Sequence, residues 1–352
     1  MRRWVGFLGI VLVAGCGGAD SDGTADVGSG KEVAFNPKDA GWAVLDAVES
    51  ELVAPGDTSQ RWETRLEEIP TPQDTPSTED TPPAEDTPPA PDLPPPPPDG
   101  DGDGIPDAFD PFPGDPDKPG TGSAMSVYMH TSDSLWKLDV KTYAVTKIGD
   151  FDWPGGIFSS DEMTDIAIDR YGVLYGVSFS AAYVCHPETA ECWDLGDLPD
   201  SFNGLTMIPQ GVIDPDRDVM IGISGDGGWY RLDVTGTSVT ATKLGDYGGA
   251  YSSSGDAYSI KDLGTFAAVN KAGAADDLLV ELNPLTGAVI SEVGVLSGYA
   301  SVWGLAGWTG KAFAFDAGGD IAIVDTATGQ VLEIIEQTAQ SWWGAGVRTL
   351  IY

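Results

Sequence analysis

Five aspartates between Asp99 and Asp110, in the stretch DGDGDGIPDAFD, carry oxygen donors at a spacing that suits metal binding. Hard Ca²⁺ prefers several oxygen ligands, and carboxylates at loop positions 1, 3, 5, 9 and 12 can wrap one ion. The residues at those positions are Asp99, Asp101, Asp103, Asp107 and Asp110. Gly104 at position 6 allows the sharp turn of such a loop, and Ile105 at position 7 can offer its backbone carbonyl. The spacing predicts that calcium is bound here.

This stretch resembles the calcium-binding repeats of the thrombospondin type 3 family, which share its aspartate spacing. Two features depart from known calcium loops. Asp110 stands where an EF-hand has a bidentate glutamate, and no flanking cysteines or helices are evident. The alternative is a solvated acidic linker that binds ions only loosely. Bound calcium would neutralise the carboxylates and stiffen the junction between the segments on either side, a role that needs no catalysis.

The strands that must position any functional residues follow from a repeat. From Ser126 onward, glycine-punctuated strands recur about every 40 to 48 residues, which is the period of propeller blades with four strands each. Thr164–Gly196 is the clearest copy, and its apolar–polar alternation predicts half-buried antiparallel strands. The last strand is predicted at Gly346–Ile351, where it would complete the opening blade and close the ring. The sequence therefore predicts an all-β fold, a five-bladed β-propeller, with a six-bladed ring and a β-sandwich as alternatives.

The repeat also resembles the strand pattern of many extracellular propellers, a generic likeness that transfers no active site. Cys185 and Cys192 bracket the turn HPETAE within one blade. Their spacing places the two side chains across a β-hairpin, and export would take them to an oxidising compartment, so we predict a disulfide. A metal pair with His186 is the alternative, although it would lack a fourth ligand.

The loops that enter the first strand of each blade would gather around one mouth of the propeller channel. Three of them share Ser-x-x-Gly, at Ser201–Gly204, Ser301–Gly304 and Ser341–Gly344. Aromatic rings beside hydroxyls and carboxylates suit a glycan or peptide groove. The predicted ligand face consists of Trp153, Asp165, Phe202, Asn203, Tyr251, Trp303, Trp342 and Trp343. The alternative is that these rings pack between blades.

Catalytic patterns are scarce. The chain has two histidines, His130 and His186, with nothing nearby in sequence to orient either as a base, and no G-x-S-x-G or H-E-x-x-H motif. Propeller glycosidases and lactonases use acidic residues from several blades, and Asp165 is the best single candidate for such a role here. An enzyme is therefore the less favoured interpretation, and no catalytic residue is assigned.

The N-terminal stretch Met1–Cys16 has two arginines, an apolar run too short to span a bilayer, and small residues, as an export signal has. Its end, Val13–Cys16, resembles the lipobox of bacterial lipoproteins, which implies cleavage before Cys16 and acylation of that cysteine with palmitate or similar chains. Gly17 follows instead of an inner-membrane retention aspartate, which favours the outer membrane or cell surface. The alternatives are an ordinary secretory signal and an N-terminal membrane helix.

The segment between the signal and the aspartate loop is rich in proline and acid. Thr71–Pro98 repeats a TEDTPPAEDTPPAPD theme, favours polyproline II, and would act as a stiff spacer. The whole chain carries 55 acidic against 18 basic residues, a net charge of −37, so nucleic acid is an unsuitable partner. A general acidity that keeps an exposed protein soluble is the simplest explanation.

These features divide the chain into a lipoprotein signal peptide (residues 1–16), a disordered tether and proline-rich linker (17–98), a calcium-binding motif (99–120) and a β-propeller domain (125–352). The favoured function is a surface-anchored, non-catalytic binding or scaffold module. A propeller hydrolase that uses aspartates at the channel mouth and a structural spacer without ligand are the alternatives.

Overall fold

The computed structural model describes residues 96–155, 160–336 and 339–351, all within one compact unit that extends from Pro88 to Tyr352. Cys16, the predicted signal peptide and the linker up to residue 95 lie outside the described residues. Their predicted lipidation and stalk character therefore stay predictions. No apolar helix long enough to cross a bilayer occurs in the part of the chain that the structure describes.

All regular elements of the described residues are β-strands, so the predicted all-β class is confirmed. The strands are β1 (Ser126–His130), β2 (Ser134–Asp139), β3 (Val145–Asp150), β4 (Asp165–Ile168), β5 (Leu174–Val177), β6 (Ala181–Cys185), β7 (Cys192–Asp197), β8 (Gly204–Ile208), β9 (Val219–Ile223), β10 (Gly228–Thr235), β11 (Ser238–Asp246), β12 (Tyr251–Ile260), β13 (Gly264–Lys271), β14 (Leu278–Leu282), β15 (Val289–Val295), β16 (Val302–Trp308), β17 (Lys311–Asp316), β18 (Asp320–Asp325), β19 (Val331–Glu336) and β20 (Gly344–Gly346).

These strands form antiparallel groups of four. Three groups are separate sheets, with the orders β20-β1-β2-β3, β12-β13-β14-β15 and β16-β17-β18-β19. The remaining eight-stranded sheet contains two further groups, β4 to β7 and β8 to β11, joined at their outer strands by one parallel pair, Asp197 with Ser238. We refer to them as unit 1 (β20 with β1–β3), unit 2 (β4–β7), unit 3 (β8–β11), unit 4 (β12–β15) and unit 5 (β16–β19).

The first strand of each unit lies next to the first strands of its neighbours. β4 contacts β8, β8 contacts β12, β12 contacts β16, β16 contacts β20, and β20 contacts β4. The inner strands therefore form a closed ring. Four-stranded antiparallel sheets arranged radially around an axis are the architecture of a β-propeller. The described residues therefore have the propeller-like arrangement that the repeat predicts.

Burial falls from the axis outward along each unit. Every residue of the inner strand β8 (GLTMI) is buried, whereas nearly all of the outer strand β19 (VLEIIE) is exposed. Apolar clusters fill the space between units: one joins Tyr128 and Ile166, another Ala167 and Leu205. Since each cluster draws on neighbouring units, burial of apolar side chains between sheets holds the ring together.

The strand that closes the ring lies earlier than the sequence pattern indicates. The predicted closing strand, Gly346–Ile351, is wrong in its bounds, because β20 spans Gly344–Gly346 and pairs with β1 through Tyr128, Met129 and His130. Of the apolar residues that follow, Val347 is buried and Leu350 and Ile351 are half-buried, and none of them belongs to a strand. The closing strand nevertheless has the predicted role, since the C-terminal part of the chain supplies the inner strand of unit 1.

The predicted disulfide is confirmed. Cys185 and Cys192 occupy directly opposed positions on β6 and β7 and are bonded, with a Cα–Cα distance of 4.1 Å. The short turn between them makes this hairpin a covalently closed loop within unit 2. His186 lies in the turn, where its Nδ1 accepts the backbone N–H of Glu188.

Candidate functional site

The axis of the ring brings together one backbone N–H from each inner strand. The donors are Ile166, Leu205, Ala257, Leu305 and Ala345. All five donate to only two side chains: Asp165 accepts the first two at 2.8 and 2.5 Å, and Asp256 accepts the others at 2.5, 2.7 and 3.2 Å. Two carboxyl groups thus connect all five inner strands across the axis.

The two aspartates are fully buried and lie close enough to perturb each other's titration. Burial raises the pKa of both carboxyl groups well above the ordinary aspartate value, because the charged form loses its water, and the neighbouring carboxylate raises the pKa of Asp165 further. Two carboxyl groups in one dry site share a proton more readily than they ionise together. The pair therefore acts as a structural plug that keeps a proton where exposed aspartates have lost theirs.

His130 lies against this pair and is also fully buried. Its Nδ1–H donates to the carbonyl of Thr131 at 2.8 Å, and its Nε2 lies 3.8 Å from Oδ1 of Asp165. Burial lowers the pKa of His130 to about 4, so the ring is neutral at physiological pH. The backbone carbonyl of the next residue thus holds Nδ1, whereas Nε2 is buried without a hydrogen-bond partner among the described residues.

The Ser-x-x-Gly repeat has a packing explanation at the axis. A Cβ atom at Gly344 would collide with Oδ1 of Asp165 and Nε2 of His130, and one at Gly204 would collide with the backbone oxygen of Gly255. A Cβ at Gly304 would lie 2.8 Å from the backbone of Gly344. Glycine is needed there because the inner strands approach one another more closely than a side chain allows.

A cavity of about 210 Å³ opens beside this plug. Residues immediately before the two aspartates, Thr164 and Gly255, form part of its wall, together with Ser254. The remaining lining residues are Phe179, Asn203, Trp303 and Trp343. We call this cavity the axial mouth, since two inner strands, β12 and β16, and the residues just before β4, β8 and β20 contribute to it.

Aromatic rings dominate the axial mouth. The rings of Trp303 and Trp343 meet edge to face, with centroids 6.0 Å apart, and Phe179 is 53% exposed. Both hydroxyls are occupied: Thr164 donates to the carbonyls of Val177 and Phe202, and Ser254 donates to Asp277. Asn203 differs, because its Oδ1 is buried without a hydrogen-bond partner among the described residues. Its amide is therefore the polar group at the mouth with unused capacity.

Only part of the predicted ligand face lies at this mouth. Asn203, Trp303 and Trp343 line it, whereas Tyr251 lies elsewhere and donates its hydroxyl to Glu292 at 2.5 Å. The prediction of a ligand surface is wrong for four residues that are buried, Trp153, Asp165, Phe202 and Trp342. Their rings pack within and between sheets, as in the contacts of Trp153 with Tyr183 and of Phe202 with Tyr230, and Asp165 forms the plug.

Two residues at the axis and its mouth, Asp256 and Phe179, are absent from the sequence-based predictions. Asp256 was not singled out, because a bulge between Ser253 and Ala257 shifts it relative to the other inner strands. Aligning Ser252–Gly255 as a fourth Ser-x-x-Gly copy would have pointed to it. Phe179 reaches the mouth from the turn between β5 and β6, outside the loops that the sequence assigns to that face.

The aspartate loop forms a second candidate site. Asp99, Asp101 and Asp103 can each place one carboxylate oxygen within 4.8 Å of the others. Three oxygens, Oδ2 of Asp101, Asp103 and Asp110, are buried without a partner among the described residues. Buried carboxylate oxygens are costly unless a cation or donor meets them. The donor set is therefore one that Ca²⁺ fits, with hard oxygens and no nitrogen or sulfur.

The raised pKa values of two aspartates in the loop also favour a bound cation. Burial raises the pKa of Asp110 to about 6 and also raises the pKa of Asp103, and in both cases neighbouring aspartates add to the effect. Not every carboxylate faces inward, since Asp107 accepts the N–H of Gly100 at 2.6 Å and Asp99 accepts those of Gly102 and Gly104. These bonds bend the backbone around the unpartnered oxygens.

Apolar side chains attach the loop to unit 2. Ile105 is fully buried against Val173 and Val184, and Phe109 stacks on Tyr171 with ring centroids 5.3 Å apart. The side chain of Ile105 is thus a structural anchor, while its carbonyl stays the predicted ligand. The candidate calcium site is a built part of the compact unit.

The raised pKa values at the axis predict how stability depends on pH. A folded chain that binds more protons than the unfolded one loses stability as pH rises from the ordinary aspartate value, about 4, toward the raised pKa. Asp165→Asn removes this titration, so the decline in the free energy of unfolding between about pH 5 and 8 should become shallower. Urea denaturation at several pH values measures it, with Asp256→Asn as a second variant.

Asp139→Asn is the matched control. Hydrogen bonds from Thr142 lower the pKa of this exposed carboxyl, so its contribution is lost only as pH falls below about 4. Its slope between pH 5 and 8 should equal that of the unaltered chain. If the free energy of unfolding of both axial variants fell with pH as steeply as that of Asp139→Asn, the shared-proton account would be contradicted.

Comparison with known proteins assigns no family. No family model matches the chain, and no curated protein does. Among solved structures the chain is similar to the computationally designed Ika8 protein (18% identity, 64% of this chain and 63% of that one, TM-score 0.32). It is also similar to a protein of unknown function from Bacteroides caccae (12% identity, 61% of this chain and 73% of that one, TM-score 0.34). A third similar structure is the Dos1 propeller (13% identity, 63% of this chain and 66% of that one, TM-score 0.33). The chain spans less than two thirds of Ika8 and Dos1. At these TM-scores the architecture is argued from strand pairing alone.

Proposed function

We propose that this chain is a surface-anchored lipoprotein that displays a five-bladed β-propeller as a non-catalytic binding module. Units 1 to 5 are the five blades, each with four antiparallel strands, and β20 is the clasp that closes the ring. The closed cycle of contacts among inner strands supports this number, because it leaves no gap for a sixth blade.

The burial and hydrogen bonding of the axial carboxyl groups support a non-catalytic function. A propeller hydrolase would need two carboxyl groups within reach of the substrate. Asp165 and Asp256 are fully buried, and their oxygens already accept five backbone N–H groups. Groups so committed to structure are poorly placed to act as acid, base or nucleophile, so binding is the better-supported activity.

The axial mouth is the proposed binding surface, and its ligand is a sugar unit of a glycan. Exposed indole faces stack on the apolar face of a sugar ring, and the free Asn203 oxygen can accept a hydroxyl proton. At about 210 Å³ the mouth is smaller than the roughly 300–1,000 Å³ of sites that enclose a ligand. It would therefore hold one residue at the end of a chain. A peptide ligand is the alternative.

Lipidation at Cys16 would hold the module on the outer membrane or cell surface, with the membrane as its first partner. Several acyl chains on one cysteine give stable anchoring where a single chain is marginal. Residues 17–95 would then separate the module from the membrane, and their acidity suits an exposed, soluble position. Calcium in the loop from Asp99 to Asp110 would fix the point where the linker enters the compact unit.

Trp303 is the variant that tests ligand binding. Trp303→Ala removes a 37% exposed ring and should weaken binding at least tenfold for whichever oligosaccharide a glycan array identifies, measured by calorimetry. Trp308→Ala, at the other end of the same strand, is the matched control and should bind as the unaltered chain does. Arrays of glycans that give no binding, or equal losses in both variants, would refute the proposal; binding of peptides alone would establish the alternative ligand.

Calcium binding is tested with Asp103→Ala. The unaltered chain should take up one Ca²⁺ in calorimetry and should unfold at a higher temperature with calcium than with chelator. The gain is about 2.7 kcal/mol when free calcium is a hundred times the Kd. Asp103→Ala should lose both effects, whereas Asp216→Ala, an exposed aspartate outside the loop, should keep them. Undiminished uptake by Asp103→Ala would rule out this site.

A further inference from the structure

A second cavity, of about 410 Å³, lies between units 2 and 3 and beside the aspartate loop. It is distinct from the axial mouth, since the two share no lining residue. Its volume falls within the roughly 300–1,000 Å³ of small-molecule sites. We call it the side cavity.

Positive charge is concentrated at the side cavity in a chain of net charge −37. The described residues contain four arginines, and three of them, Arg170, Arg217 and Arg231, line it. The fourth, Arg348, donates to the backbone carbonyl of Arg170 and so supports the same wall. The wall also carries four aspartates, so whether it attracts an anion depends on which of its charges are already paired.

Two of these guanidinium groups are available. Arg231 pairs with Asp233 at 2.9 Å. Arg170 and Arg217 have no carboxylate within ion-pair distance among the described residues, and Arg170 lies over the ring of Tyr171 at 5.5 Å. Arginine without a partner beside a cavity is suited to bidentate recognition of a carboxylate.

Two acidic residues of the wall, Asp169 and Asp218, are committed to the fold instead. Asp169 accepts the backbone N–H groups of Tyr171, Gly172 and Val173. Asp218 accepts those of Arg170 and Gln210 and the hydroxyl of Thr349. Burial raises the pKa of Asp169 to about 7, which reduces its repulsion of an anion near neutral pH. Asp110 also lies in this wall, but it belongs to the candidate calcium loop, where its buried Oδ2 is a proposed calcium ligand.

The rest of the wall is apolar. Tyr175, Leu195, Met207, Met220 and Leu232 line it, and methionine adapts to ligands of different shape. A small inorganic anion would leave this surface unused. A ligand that joins an anionic head to an aromatic or aliphatic body would satisfy both parts of the wall.

From this combination we infer that the side cavity binds a small carboxylate ligand with an apolar body. Arg170 and Arg217 hold the carboxylate, and the apolar wall of units 2 and 3 covers the body. This site is independent of the glycan proposed at the axial mouth.

Matched acid–amide pairs test the inference on the full chain. Indole-3-acetate and 3-phenylpropionate are titrated by calorimetry beside indole-3-acetamide and 3-phenylpropionamide, which have the same bodies without the charge. At least one acid should bind saturably with one site per chain, and its amide should bind at least tenfold more weakly. Failure of both acids to bind, or equal binding of acid and amide, overturns the inference.

Variants locate the site. Arg217→Gln alters an exposed side chain, so folding should be preserved. Both Arg217→Gln and Arg170→Gln should lower the affinity for the acid at least tenfold. Lys141→Gln removes an exposed positive charge in unit 1 and should leave affinity unchanged. Trp303→Ala should also leave it unchanged, which separates this site from the axial mouth. Affinity retained in Arg217→Gln, or lost equally in Lys141→Gln, overturns the assignment.

Discussion

Five backbone N–H groups converge where the inner strands meet, and no further strand is available to accept them. A buried amide without an acceptor costs free energy comparable to a lost hydrogen bond. Asp165 and Asp256 meet this constraint together, by accepting one N–H from every inner strand and by sharing a proton between themselves. In the part of the chain that the structure describes, the hydrogen bonds of this pair reach all five inner strands, so the pair joins at the axis the sheets that apolar packing holds together farther out.

The same constraint explains the composition of the axis and separates structure from function. With two carboxyl groups and the imidazole of His130 at the centre, the neighbouring strands have room only for glycine, as at Gly204 and Gly344. These buried groups fill the axis, and accessible groups remain at its mouth and in the cavity between units 2 and 3. This arrangement suits the proposed function, in which ligands bind at rigid rims and buried polar groups stabilise the fold.

Much of the fold could be predicted from local pattern. Period-two alternation, glycine-punctuated turns and the repeat predict the all-β class and most strands, and the cysteine spacing predicts the disulfide across β6 and β7. The site was predicted less well, because which side of a ring each aromatic faces is decided by contacts between units. Trp153 and Trp342 resemble Trp303 in sequence context but are buried. Asp256 was missed because the bulge between Ser253 and Ala257 changes its register, and the closing strand was misplaced because the short GAG of β20 carries no apolar pattern.

Hydrogen exchange of the five axial amides tests the central claim most directly. If the carboxyl pair secures all inner strands, the amides of Ile166, Leu205, Ala257, Leu305 and Ala345 should be among the slowest in the chain. In native-state exchange measured by NMR they should open together, with the free energy of global unfolding. In Asp256→Asn the amides of Ala257, Leu305 and Ala345 should lose protection together. Fast or unrelated exchange of these amides in the unaltered chain, while neighbouring strand amides stay protected, would contradict the account.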